Sequence, residues 1–500
     1  MAIIKLKTEE ADEQFVLSSG KVLKSLDASR KMRIIAEERP EISIPKEGVG
    51  YAWNEIGMAQ LFARCYEEDT KFCAEATSWY TYSDGAWRKD TGALLVSAKV
   101  KEFYQLLLIY SSEIQDEDLR TKYIKFIGTI GDRRFRDRML KDAADDERLA
   151  ISASRFDANP YLINCKNGTY DLQTMRFRAH DWHDYLTMQT NFDYTVKDIV
   201  CPRWEKFIDE VTEGDKEKAK YIQTAIGYSM LGIANEECMF ILHGKTTRNG
   251  KSTLLNAVEY LLGDYASVSP VSIICRSDQS RNAEAANPVL ASLKGRRFVT
   301  MSESNQYGKL DEEVIKQLTG GEEITARNLY ESASTWLPQF TMWLSCNDLP
   351  AVSDKSLFAS ERIKVIEFNR HFSAAEQDKN LKTEFRSKEA MQGIFSWMIK
   401  GYFHYKRFGL VMPEKMQTVI DQYQRENDLV LQFLEEKCQK SDEDIRGKML
   451  YDSYKIWCKG NGYHAWSAKK FFAEVDTHPE WHGGRTTVDH IQMYKNISLR

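Results

Sequence analysis

The apolar positions of this chain change period several times, and the sharpest change falls between Cys238 and Gly263, in CMFILHGKTTRNGKSTLLNAVEYLLG. The unbroken apolar run 239–242 predicts a strand buried on both faces. A loop with Gly244, Asn249 and Gly250 follows, and Lys251-Ser252-Thr253 then opens an amphipathic helix that stops at Gly263. Three later runs have strand character, at 297–301, 340–346 and 363–368. Residues 311–337 read as a helix, a Gly320-Gly321 break and two short alternating segments, a hairpin that carries Arg327 and Tyr330. The stretch 202–231 has helical periodicity, as does most of 372–438.

The N-terminal half is a mixture. Residues 1–45 are charged and poor in aromatics and read as a weakly ordered arm or a small helical segment. NEIGMAQLFARCYEED predicts a helix with Ile56, Leu61, Phe62 and Tyr66 inward, and 94–150 is helical. Asp84-Gly85 and Asn167-Gly168 each sit between alternating segments and predict hairpin turns, the second of type I′. The last sixty residues give two helices and an alternating tail, the order of a small winged-helix module.

Composition narrows the class without deciding it. Hydrophobic residues at 42% and charged residues at 29% are those of an ordinary soluble protein, and the length suggests about three domains. No apolar run approaches the roughly 20 residues that span a bilayer, and the start carries no signal-peptide core, so a cytoplasmic location is expected. The nine cysteines form no CxxC pair and read as reduced thiols. A net charge of −5 does not advertise nucleic-acid binding, yet a groove can gather basic residues on one surface. The basic stretch from Arg120 to Lys141 is open to two readings, a solvated helix face balanced by DAADDE or a phosphate-contacting surface. His180 and His183, and His478, His482 and His490, are read as structural rather than as metal ligands.

The chemistry concentrates where the pattern changed. A strand, a glycine loop and a helix opening on Lys-Ser form a phosphate cradle: backbone N–H groups and the positive helix end face the anion. In it Gly244, Thr247, Asn249, Gly250, Lys251, Ser252 and Thr253 contact ATP, with Lys251 between the terminal phosphates and the Ser252 hydroxyl on Mg²⁺. The spacing is irregular, because five residues separate Gly244 from Gly250 where the usual pattern has four. Either Lys245 takes the first glycine's place or the loop carries one extra residue. Glu303 follows the strand at 297–301, where a carboxylate holds Mg²⁺ or orients the attacking water. Asn347 ends the next strand and is placed to bond the γ-phosphate or that water. Arg362 precedes the last strand, as an arginine offered to a neighbouring subunit's nucleotide would.

Together ILHGKTTRNGKSTLL, VTMSESN, IKQLTGGEEITARNLYE, TMWLSCNDLP and ASERIKVIEF resemble the superfamily 3 helicase domain of phage and plasmid primase–helicase proteins, relatives of the poxvirus primase–helicase. The resemblance runs from about 155 to 480, through YLINCKNGTYDLQTMRFRAH upstream and LYDSYKIWCKGNGYHAWSAKKFF downstream. It implies an α/β fold with an AAA+-like P-loop ATPase core, a mixed α+β N-terminal region and a helical, winged-helix-like C-terminal part. The implied order is an arm (1–50), an accessory α+β region (51–150), a helicase-preceding domain (151–232), the ATPase (233–375), a helical region (376–440) and the winged-helix-like module (441–500).

By the same resemblance the chain forms a ring, usually a hexamer, that moves 3′-to-5′ on single-stranded DNA and opens forked DNA. Its cofactors are ATP and Mg²⁺, its setting is a bacterial host's cytoplasm, and its partners are other replication proteins. Lys251, Glu303, Asn347 and Arg362 are then catalytic, and Lys316 and Arg327 near the hairpin touch DNA. Larger members carry a primase domain with paired aspartates and a histidine. No such constellation precedes the matched region here, so helicase activity without primase chemistry is expected. Two rivals remain: an ATP-controlled origin-binding initiator, and a P-loop phosphotransferase with lid arginines.

Overall fold

The computed structural model describes residues 4–6, 14–16, 25–43, 48–197, 199–276, 287–302, 309–327, 333–352, 356–488 and 491–500. Its centre is a mixed α/β unit. The elements that position the site are helices α1 (Pro202–Val211) and α2 (Lys216–Tyr228), strand β1 (Met239–His243), helix α3 (Lys251–Leu262), strands β2 (Ala266–Val268) and β3 (Phe298–Ser302), helix α4 (Glu312–Thr319), strands β4 (Thr341–Cys346) and β5 (Ile363–Glu367), and helices α5 (Lys388–Phe408) and α6 (Glu414–Glu426). The five strands form one parallel sheet in the order β2-β3-β4-β1-β5.

Strand β1 lies between β4 and β5, with His243 level with Cys346 on one side and Glu367 on the other. All five of its residues are buried, which is why the sequence shows an apolar run there instead of alternation. Phe240 and Leu242 join the core shared with α2, α3 and α5, whereas Met239 and Ile241 join the core under α4 and α6. The chain leaves β1 toward β2 at one edge, returns through β3 and β4, and crosses to β5. That reversal beside β1 makes a crevice at the carboxyl ends of the strands, the place where such sheets take ligands.

Helices α2 and α5 touch backbone to backbone. A Cβ on Gly227 would lie 2.2 Å from the Tyr402 nitrogen, and one on Gly401 would lie 2.0 Å from the Gln223 carbonyl oxygen. Gly227→Ala is therefore expected to cost about 1–3 kcal/mol of stability, as overpacking of a tight core does. The loss is read as a lower urea midpoint at unchanged slope.

Residues 25–151 build a separate core from five helices and a four-stranded sheet. Residues 447–499 form helices Gly447–Gly460 and Ala468–Val475 followed by a ribbon of Arg485–Val488 and Ile491–Tyr494, the helix, helix and ribbon that the sequence predicts.

Several expectations change. Of the two readings of the first 45 residues, the helical one fits, since Ser25–Glu38 is a 14-residue helix. Its Ala28, Lys31 and Ile35 are buried in the N-terminal core, and Arg30 and Lys31 pair with Glu68, Asp69 and Glu102. Ile56 is 59% exposed, because the inward stripe of Glu55–Tyr66 runs through Met58, Leu61, Phe62 and Tyr66. The second hairpin turns at Lys166-Asn167, since Cys165 pairs with Gly168. Neither turn residue takes a positive φ, so the turn is not type I′. The Asn167 side chain fixes it by bonding both the nitrogen and the carbonyl oxygen of Tyr194.

In the basic stretch, Arg136 donates to the carbonyls of Ile130 and Gly131 at the end of the preceding helix, and Arg138 and Arg120 pair with Glu55 and Glu117. All nine cysteines are free thiols, eight of them buried.

Candidate nucleotide site

The loop after β1 is anchored at both ends and exposed between them. Gly244 donates its N–H to the Cys346 carbonyl at 3.3 Å. A Cβ there would lie 2.5 Å from both the Phe368 carbonyl oxygen and the Asn249 amide nitrogen, so close approach demands glycine. At the other end Gly250 takes φ +91° and is packed on Val211 and Phe207 of α1. Asn249 is buried and donates to the Thr246 carbonyl at 2.6 Å, holding the turn from inside. Lys245 to Arg248 are exposed. A second segment borders them: the His371 ring meets the Thr247 carbonyl at 2.8 Å, and the Phe372 N–H donates to the Arg248 carbonyl at 3.0 Å.

Helix α3 begins at Lys251 without a side-chain cap. Its first N–H groups and the positive end of its dipole face the loop's concavity, which is what an anion requires. Lys251 is 5% exposed, and its ammonium donates to the Gly244 carbonyl at 3.0 Å and to Asn347 Oδ1 at 3.1 Å. Lysine and asparagine, 96 residues apart, thus meet at the carboxyl edge of the sheet. Ser252 is exposed and Thr253 half-buried beside them. His243, buried at the end of β1, has Nδ1 4.0 Å from Glu367. Burial lowers the pKa of its imidazole, against the opposing pull of that carboxylate.

A cleft of ≈ 330 Å³ opens from Gly250–Thr253 between α1 and the segment after β5. Phe207, Phe372 and Leu381 give it apolar walls, and Arg203, Arg248, Lys379 and Lys382 stand around it. Of these four cations the sequence offers only Arg248 as a loop residue; the other three lie on elements that only the fold brings together. A larger cleft of ≈ 800 Å³ beside Glu367 mixes Glu213, Asp215, Lys218 and Lys415 and includes none of the loop. The smaller one adjoins the loop and the start of α3.

The remaining site residues fall elsewhere. Arg362 immediately precedes β5, at the opposite end of the sheet from Lys251. Five residues of strand place it about 16 Å away along the sheet, so it cannot reach its own chain's loop. Lys316 is half-buried on α4, and Arg327 is exposed just after Ile324–Ala326, which pairs with Ser334–Trp336 as the expected hairpin. Glu303 and Tyr330 lie outside the described residues, as does His490; β3 ends at Ser302, level with Ser345. Among the described residues, the group of histidine and carboxylates close enough to share an ion is Asp428, Glu474 and His478. His478 pairs with Asp428 at 2.9 Å, while His482 instead meets the Val475 carbonyl.

Three family models match the chain: "D5 N terminal like" over residues 59–213, a family of unknown function (DUF5906) over 242–362, and "Poxvirus D5 protein-like" over 425–494. The two D5 matches support a D5-like primase–helicase family. The first match begins upstream of residue 155, where the motif resemblance starts, and the second runs from the end of β1 to Arg362. This D5-like chain is 26% identical over 453 residues to "Putative helicase L207/L206" of Acanthamoeba polyphaga mimivirus, covering 83% of the chain and 46% of the relative. It is 26% identical over 337 residues to "Putative helicase 121R" of Invertebrate iridescent virus 3, covering 60% and 35%. The chain thus spans less than half the length of these relatives. Among solved structures, the apo C-terminal region of NrS-1 aligns at TM-score 0.45 and 9% identity, covering 86% of this chain and 96% of that one. Among the described residues no helix is long and apolar enough to cross a membrane.

Proposed function

We propose that this D5-like chain is an ATP-dependent DNA helicase of a viral or mobile-element replication system, with an AAA+-like P-loop core that works as a ring. The observation that carries the reading is the contact of Lys251 with Asn347 beneath the uncapped start of α3. It joins a phosphate-binding cation to a polar amide level with it, at the crevice of a parallel sheet. The names of the viral relatives support the same reading.

In this reading Lys251 and the first-turn N–H groups hold the phosphates, and the nucleotide's base occupies the cleft between Phe207 and Phe372. Ser252 and Glu303 would hold Mg²⁺, which when bound would supply positive charge to the phosphates. Asn347 orients the attacking water or the γ-phosphate, and Glu303 shares that task. A strand length from its own loop, Arg362 completes the site of a neighbouring chain and stabilises charge in the transition state. Lys316 and Arg327, beside the hairpin, contact single-stranded DNA, and the direction of travel is 3′-to-5′.

The test is ATP hydrolysis and strand displacement on a forked duplex, with Lys251→Ala as the inactive control. Stimulation by single-stranded DNA and displacement, both lost in the control, are expected. DNA affinity should fall steeply between about 50 and 200 mM salt, because phosphate contacts release counterions. Slow turnover without displacement but with tight duplex binding would instead select the initiator. Phosphoryl transfer to a small acceptor by a monomer would select the phosphotransferase.

A further inference from the structure

We propose that Glu237 and Thr319 are positioning residues for Arg362, holding its guanidinium against its own chain and coupling its release to helix α4 and the hairpin beyond. The proposal rests on the reading of Arg362 as the arginine that completes a neighbour's site. The Arg362 side chain is 15% exposed, whereas that of Glu237 is 51% exposed. One guanidinium nitrogen donates to Glu237 Oε2 at 2.5 Å, and the other donates to Thr319 Oγ1 at 2.7 Å and to the Glu237 carbonyl at 3.4 Å. The backbone is fixed too, because the Met239 N–H donates to the Arg362 carbonyl at 2.8 Å. Glu237 and Glu361 take φ +45° and +53°. Residues with a Cβ adopt that left-handed backbone only where the surroundings hold them in it.

Thr319 gives this contact a reach. It is the last residue of α4, and its hydroxyl donates onward to the Ile315 carbonyl at 2.7 Å, so arginine, hydroxyl and helix carbonyl form one relay. A cation at a helix carboxyl end stabilises that end. Gly320 and Gly321 follow, Gly321 at φ +68°, and the hairpin strand starts at Ile324. When Arg362 turns outward to a phosphate of a second chain, the last turn of α4 loses both its cation and a hydrogen bond. That loss falls next to the glycine pair from which the hairpin hangs. Because Glu237 is half exposed, its hold biases the arginine by a factor of only about two to five, so a multiply charged phosphate competes successfully.

The experiment uses the full chain and measures ATP hydrolysis with and without single-stranded DNA for Glu237→Gln, Thr319→Val, Thr319→Ser and Arg362→Ala, with thermal midpoints alongside. Glu237→Gln should raise DNA-independent hydrolysis about two- to five-fold at unchanged KM for ATP, shrinking the stimulation by DNA. Thr319→Ser, which keeps the hydroxyl, should retain the parental stimulation that Thr319→Val loses. Parental or lowered hydrolysis in Glu237→Gln, with Arg362→Ala inactive, overturns the tether and leaves the role of Arg362 standing. Parental hydrolysis in Arg362→Ala overturns both.

Discussion

Lys251→Ala should abolish ATP hydrolysis, lowering the rate by at least about 10²–10³, the usual loss when one preorganised donor to a developing charge is removed. The lysine is buried with its ammonium on the Gly244 carbonyl and on Asn347. Its removal deletes the loop's fixed charge and at the same time takes a donor from two oxygens at the sheet edge. Lys251→Met removes charge and donor together but keeps most of the side-chain volume, and so separates their loss from the cavity that alanine leaves. Both variants should keep the parental thermal midpoint to within a few degrees and lose hydrolysis together. Turnover within ten-fold of parental in Lys251→Met would place the phosphates elsewhere.

The second large effect concerns two chains. Arg362→Ala should lose about 10³-fold or more in hydrolysis, the magnitude attached to such fingers, while a fluorescent ATP analogue binds as before. Neither variant alone should turn over, but an equal mixture of Lys251→Ala and Arg362→Ala should. A junction that takes its loop from an Arg362→Ala chain and its arginine from a Lys251→Ala chain is intact. In a head-to-tail ring about a quarter of the junctions are of this kind. A mixture as inactive as its components would show that Arg362 does not act across a junction, in keeping with its cis contacts to Glu237 and Thr319 being purely structural.

What the sequence disclosed follows from how each feature is encoded. Strand β1, its loop and α3 are contiguous and were legible, because a strand covered on both faces must be apolar at every position and the helix opens at a charged triplet. The hairpin of Ile324–Ala326 and Ser334–Trp336 was legible from alternation alone. The cations around the cleft were not: Arg203 belongs to a helix that ends before β1 starts, and Lys379 and Lys382 follow β5. Neither position has a local signature, since an exposed lysine looks the same whether it faces bulk water or a nucleotide. Helix Ser25–Glu38 was only one of two readings open for the first 45 residues, for a related reason. Its buried stripe includes Lys31, a residue that periodicity scores as polar and that Asp69, Glu102 and the ring of Tyr66 make acceptable inside. Ile56 errs in the other direction, because a lone apolar residue on the first turn of a helix has no obligation to face inward.

The irregular glycine spacing has a physical location. The loop's floor is fixed by Gly244 against Phe368 and by Gly250 against α1, whereas Lys245 to Arg248 are exposed, with Thr246, Thr247 and Arg248 held through their carbonyls. Chain length is added cheaply in such a rim, since lengthening a solvent-facing loop by one residue changes its closure entropy little. Motif spacing counted along a sequence is therefore a poorer guide to a site of this kind than the separation of its two anchored ends.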